Sequence, residues 1–223
     1  MILTLFANTL SYPDKDTPKH TVRLIKELEQ LSNIYPEIGE SLDYVKMFYY
    51  FIEKTSLQER EEVYTQTFEV QSITTLDVGY VLFGDDYKRA ELLVNLNQEI
   101  NKYGIEIGHE LADYLPNVLK VLDKMDDVNT KTDLIIHIVY PALKRMINDF
   151  DSKVMSKKNE VYLKHHKTLI EKSKEFKDIY LNLLVALKII LESVFKAYDV
   201  IEEDKSKGFL SNIEQELNIE KLK

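Results

Sequence analysis

Ile38-Gly-Glu-Ser-Leu42-Asp-Tyr-Val45-Lys-Met-Phe-Tyr49-Tyr-Phe-Ile52 carries apolar side chains at 38, 42, 45, 49 and 52. Steps of three and four place them on one face of an α-helix, whose period is 3.6 residues, and not on one face of a strand, whose period is two. The same spacing runs upstream through Leu24, Leu28 and Leu31. Downstream, Phe176, Tyr180, Leu183, Leu187, Leu191, Val194 and Tyr198 form the longest such stripe. No alternating stretch of useful length and no fixed-period repeat interrupts this pattern, so the fold class is all-α: one compact bundle of about nine or ten helices over residues 1–223.

The helix ends are marked by residue chemistry. Thr17-Pro18 reads as a cap followed by a proline in the first turn, where its missing N–H costs nothing. Ser56 with Glu59 reads as a capping box opening a helix to about Val70, and Ser211 with Glu214 opens a short last helix after Gly208. Residues 70–76 read as a linker. Beyond it Asp85 is placed to cap a helix and to pair with Arg89 one turn on, while Ala90, Leu93, Leu96, Ile100 and Tyr103 form its inner face and Gly104 its stop. Pro116 starts a helix lined by Leu119, Leu122 and Met125; residues 126–130 read as a boundary between subdomains and a possible hinge; Pro141 is expected to kink or split the helix from Leu134 to Phe150.

Composition excludes several classes of function. The 223 residues hold 29 Lys+Arg against 38 Asp+Glu, a formal charge of −9, which disfavours a nucleic-acid binder. With no cysteine there is no disulfide, thiolate nucleophile, iron–sulfur ligation or Cys-based zinc site. The opening Met1-Ile-Leu-Thr-Leu-Phe-Ala lacks the basic flank and small-residue cleavage site of a signal peptide, and the most apolar run, 179–191, falls short of the roughly 20 apolar residues of a membrane span. The chain is expected in the cytoplasm.

Catalytic signals are weak. His165 and His166 are adjacent and point about 100° apart on a helix, too divergent for one ion. His109 has no second histidine at zinc-motif spacing, and His137 reads as a core or boundary side chain. Asp85-Asp86 lacks the further Asp of a magnesium-binding aspartate motif, because position 89 is Arg. No phosphate-cradling glycine loop or nucleophile elbow occurs. The expectation is a binding protein without catalytic residues, metal or cofactor. A helical metal-dependent enzyme acting on a phosphorylated or isoprenoid substrate, and a generic helical adaptor, are the alternatives.

Charge is distributed unevenly. Residues 56–127 hold 15 Asp+Glu against 6 Lys+Arg, while residues 153–177 hold 8 Lys against 3 Glu. The acidic stretch also carries Tyr64, Phe68, Tyr80, Phe83, Tyr87, Tyr103 and Tyr114. Aromatic anchors with carboxylates around them suit a basic amphipathic peptide; the competing reading is core aromatics beneath a polar surface.

In order along the chain, Leu10-Ser-Tyr-Pro-Asp14, Tyr64-Thr-Gln-Thr-Phe-Glu69, Leu82-Phe-Gly-Asp85 with Arg89, and Glu110-Leu-Ala-Asp-Tyr-Leu-Pro116 resemble the NarJ family of nitrate reductase assembly chaperones, within the TorD/DmsD-like group of molybdoenzyme maturation proteins. The resemblance spans residues 5–125. Positions 69, 90 and 112 depart from it, with Glu, Ala and Ala where the family usually has Asp, Gly and Pro. The resemblance implies a TorD-like helical fold and a cytoplasmic chaperone that binds the N-terminal leader of an apo molybdoenzyme catalytic subunit and holds it competent for molybdenum-cofactor insertion. It also implies a monomer or a dimer that exchanges helices. Carried over by position, Tyr64, Thr67, Phe68, Asp85, Arg89, Glu110, Asp113, Leu115 and Pro116 are implied as peptide-binding residues, and the aromatic and acidic reading of the same stretch adds Tyr80 and Tyr114 to that set. Tyr64 and Phe68 are expected as apolar anchors, and Asp113, held extended before Pro116, as a carboxylate offered to a cationic leader.

Overall fold

The computed structural model describes residues 1–156, 176 and 178–198. Among the described residues the regular elements are all helices, without a strand: α1 (Ile2–Leu10), α2 (Thr17–Ser32), α3 (Ile38–Lys54), α4 (Leu57–Phe68), α5 (Val78–Phe83), α6 (Tyr87–Lys102), α7 (Leu115–Lys124), α8 (Val128–Leu134), a π-helical turn (Ile135–Val139), α9 (Tyr140–Asn148) and α10 (Ile179–Phe195). The expected all-α bundle is what forms. The expectations for His165, His166, most of 153–177, Gly208 and Ser211–Glu214 lie outside the described residues.

The centre of the bundle is α3 against α10, flanked by α2 and α1, with α7 packed on α1. The Ser41 hydroxyl donates to the Ala186 carbonyl at 3.0 Å, and Phe48 meets Tyr180 at 5.2 Å and Phe51 meets Phe176 at 4.9 Å between ring centres. These contacts set α3 and α10 antiparallel. Tyr180, Leu183, Leu187 and Leu191 are buried as their spacing requires, joined by Leu184 and Ile190. Each aliphatic side chain buried in this way contributes roughly 1.5–3 kcal/mol. One core cluster runs from Ile2 to Ala197. Tyr198, expected on the stripe, is 57% exposed, because the helix ends at Phe195 and Lys196 turns left-handed at φ 55°.

Several boundaries differ from expectation, each for a local reason. At α2 the side-chain acceptor is Asp14, whose Oδ1 takes the N–H groups of Asp16 and Thr17, both at 2.8 Å, so Thr17 is not itself the cap. The Ser56–Glu59 capping box is present, with Ser56 N–H donating to Glu59 Oε2 at 2.7 Å and Glu59 N–H to Ser56 Oγ at 3.3 Å, but α4 stops at Phe68. The 70–84 stretch contains the unexpected six-residue α5. Asp86, not Asp85, caps α6, accepting from Lys88 N–H at 3.0 Å. The inner face of α6 is Leu92, Leu96 and Ile100; Leu93 and Tyr103 sit at its margins and Ala90 is exposed, because α6 packs chiefly on α5 and α7 and buries a narrow stripe. Gly104, at φ 60°, ends it in the left-handed region. Within 126–130, Asp127 caps α8, its Oδ1 accepting from the Asn129 and Thr130 N–H groups. Pro141 interrupts the α8–α9 ladder as expected, and the chain answers with a widened turn: Tyr140 N–H donates to the Ile135 carbonyl five residues back.

Candidate functional site

The segments that carry the resemblance are brought together at the ends of α4, α5, α6 and α7. The approach to α5 and the loop before α7 pair along an isolated antiparallel bridge between Asp77 and Tyr114. Val78 N–H donates to the Asp113 carbonyl at 2.9 Å and Leu115 N–H to the Leu76 carbonyl at 2.7 Å. Tyr114, the residue before the Leu115-Pro116 start of α7, is extended at φ −62° and ψ 122°, as a helix N-cap position commonly is. The far end of α5 is held by Arg145, whose Nη1 donates to the carbonyls of Val81 and Leu82, both at 3.0 Å.

Under this bridge lies an ionic network. Arg89 Nε donates to Asp113 Oδ2 at 2.8 Å, and its Nη2 donates to Asp113 Oδ1 and Asp77 Oδ2, both at 3.4 Å. Asp85 stands 3.9 Å from Nη1, the expected one-turn pair, and the Tyr80 ring covers the guanidinium with its centre 5.2 Å from the central carbon. The Asp113 side chain is fully buried and that of Arg89 is 15% exposed. Burial opposes the charge on Arg89, but the hydrogen bonds and charge of Asp113 outweigh it and raise its pKa. Burial, then repulsion from Asp113, pushes the Asp77 carboxyl up against the pull of Arg89. Gly79 makes the close packing possible: a Cβ there would sit 2.7 Å from Asp113 Oδ2.

Behind the network is an aromatic cluster. The Tyr64 and Tyr114 hydroxyls share a 2.6 Å hydrogen bond; the Tyr64 ring lies 4.9 Å from Phe68 and 5.5 Å from Tyr180, with Tyr12 at its edge at 5.2 Å. Burial pushes both phenols up, so both stay protonated at neutral pH. Thr67 is buried with its hydroxyl donating to the Val63 carbonyl at 2.6 Å.

These placements correct the expected roles. Tyr64, Thr67, Phe68, Tyr114, Leu115 and Pro116 are buried, so they hold the site together from beneath and cannot anchor an incoming helix as the chain stands. Asp113 faces inward to Arg89 and is not offered to a cation from solvent. The residues of the expected set that reach the surface are Tyr80, 46% exposed, with Asp85 and Glu110. Asp77, Gly79 and Arg145 join the site from outside the expected set, as does Leu111, which is 51% exposed beside Glu110. Arg89 and Asp113 stand 24 positions apart, and no spacing rule links them. Leu111 lies in sequence between the expected residues Glu110 and Asp113, but its exposure is set by the loop and not by spacing.

Among the described residues, no group of three or more His, Asp or Glu side chains is placed to hold a metal ion. No described helix is long and apolar enough to cross a membrane. Fold and site together define an all-α protein with a buried arginine–carboxylate pin beneath exposed aromatic, aliphatic and acidic side chains. Compared with known proteins, the chain matches no protein family and no curated protein.

Proposed function

We propose that this protein is a cytoplasmic assembly chaperone of the NarJ/TorD kind, which binds the N-terminal leader of an apo molybdoenzyme catalytic subunit and keeps it competent for molybdenum-cofactor insertion. The observation that carries the reading is the convergence of three of the four motifs, separated in sequence: Tyr64 of the second meets Tyr114 of the fourth, and Arg89 of the third meets Asp113 of the fourth. Residues that resemble a family pattern in order also form one wired unit in space. The leader would lay its apolar face on Tyr80 and Leu111, while Asp85 and Glu110 attract its Lys and Arg side chains. There is no chemical step. Holding the leader delays membrane docking or export of the client until the cofactor is in place.

The test is recovery of the protein from its native cytoplasm under mild conditions, with co-purifying proteins identified by mass spectrometry. The expected result is enrichment of a molybdoenzyme large subunit lacking its cofactor. Recovery of cofactor-loaded enzyme in equal yield, or of no such subunit, would overturn the reading.

A further inference from the structure

Helix α2 carries its charges the wrong way round. Residues 17–26 of it hold Lys19, Arg23 and Lys26 and no carboxylate, and residues 27–32 hold Glu27 and Glu29 and no cation. The positive end of a helix macrodipole is the N-terminus, so both halves oppose it. Chains break such local rules at functional sites. Lys19, Arg23 and Lys26 step by four and three, which puts them on one face of α2, and all three are exposed. Lys19 is paired at 2.8 Å with Asp16, just before the helix, and Glu29 is taken at 3.4 Å by Lys46 of α3. Arg23 and Lys26 have no ionic partner among the described residues.

Beside this stripe a groove of about 700 Å³ opens between α2 and α3. Pro18 and Val22 of α2 and Tyr49 of α3 are its apolar walls, and Asp16, Lys19, His20 and Arg23 complete the lining. Burial, and then the nearby Glu53, raise the Tyr49 pKa, so this wall is a neutral phenol at pH 7. Asp16 is matched by Lys19, which leaves Arg23 as the unmatched charge of the lining; Lys26 adds a second one turn further along. In a chain of net charge −9, this is a cationic edge next to an apolar slot.

We propose that the α2–α3 groove is a docking site for an acidic amphipathic segment of a partner protein, which sets one aromatic or aliphatic side chain between Pro18, Val22 and Tyr49 and its carboxylates against Arg23 and Lys26. From Lys19 to Lys26 is about 10 Å at the helical rise, the reach of about three extended residues, so a short segment covers the edge. A bilayer surface fits less well, because the apolar side chains line a groove and do not crown a ridge. The basic leader of the proposed function has the wrong charge for this groove, so the inference stands independently of that reading.

The test titrates the full chain into a fluorescently labelled synthetic peptide built of Glu, Leu and Phe, at low and at physiological salt. Saturable binding that weakens as salt rises is expected, with amide chemical-shift changes confined to residues 16–26 and the turn of α3 around Tyr49. Arg23→Glu with Lys26→Glu should weaken binding about tenfold; both positions are exposed, so helicity by circular dichroism should be unchanged. Replacing the Glu residues of the peptide by Gln, or its Leu and Phe by Ala, should each weaken binding to the unchanged chain. No binding, equal binding by the double variant, equal binding of either altered peptide, or shifts centred on another surface would overturn the proposal. So would capture of the chain by phosphatidylserine–phosphatidylcholine vesicles without affinity for the peptide, which would make the stripe a membrane contact.

Discussion

Arg89 is the residue on which the site depends. It joins Asp113, Asp77, Asp85 and the Tyr80 ring, and so ties α5 and α6 to the loop before α7. Removing one member of a buried ion pair leaves the other uncompensated, which costs about 3–5 kcal/mol. Arg89→Ala is expected to lose stability on that scale in urea unfolding, with Asp113 as the stranded charge. Asp77 carries the opposite sign. Its folded pKa is raised, so the folded state favours its protonated form; the penalty for ionising it is absent well below the ordinary Asp value of about 3.9 and grows as pH rises through the folded pKa. Asp77→Asn is therefore expected to raise Tm at pH 7 relative to the unchanged chain, and the gain should vanish toward pH 3. A gain of equal size at both pH values would contradict the assignment. The sequence could show Arg89 beside Asp85 one turn away, but not beside Asp113, because partners across loops are set by packing and leave no mark in local spacing.

At the scale of elements, legibility follows length and locality. The Ser56–Glu59 box was readable because both partners lie within one turn, and Ser56→Ala is expected to cost about 1 kcal/mol by thermal or urea unfolding. The stripe of α10 was readable because 17 residues give the helical period room to repeat. Six-residue α5 gives it none: it is held by Arg145 at one end and the Asp113 carbonyl at the other, both distant in sequence. Asp85 and Asp86 are equally good caps by type, and which one caps is set by where the chain turns at Gly84, at φ 64°. Pro141 announced a break, but its form, a π-turn rather than a kink, depends on the core that Ile135, Ile138 and Val139 must still fill.

For the molecule as a whole, the uneven charge found in the sequence has a structural counterpart. Of the acidic stretch 56–127, Asp77, Asp85 and Asp113 gather on Arg89, and the exposed carboxylates Asp85 and Glu110 sit in the same region as Tyr80 and Leu111. The buried members of the motifs support that surface instead of forming it, so a test by substitution belongs on the exposed ones. The most direct measurement is calorimetric titration of a synthetic basic, amphipathic leader peptide into the unchanged chain and into Asp85→Lys with Glu110→Lys, at low and at physiological salt. Binding to the unchanged chain that weakens as salt rises, and loss of about tenfold or more in affinity in the double variant with helicity intact by circular dichroism, is the predicted result. Equal affinity of both proteins for the peptide, indifferent to salt, would contradict a leader-binding role for this surface.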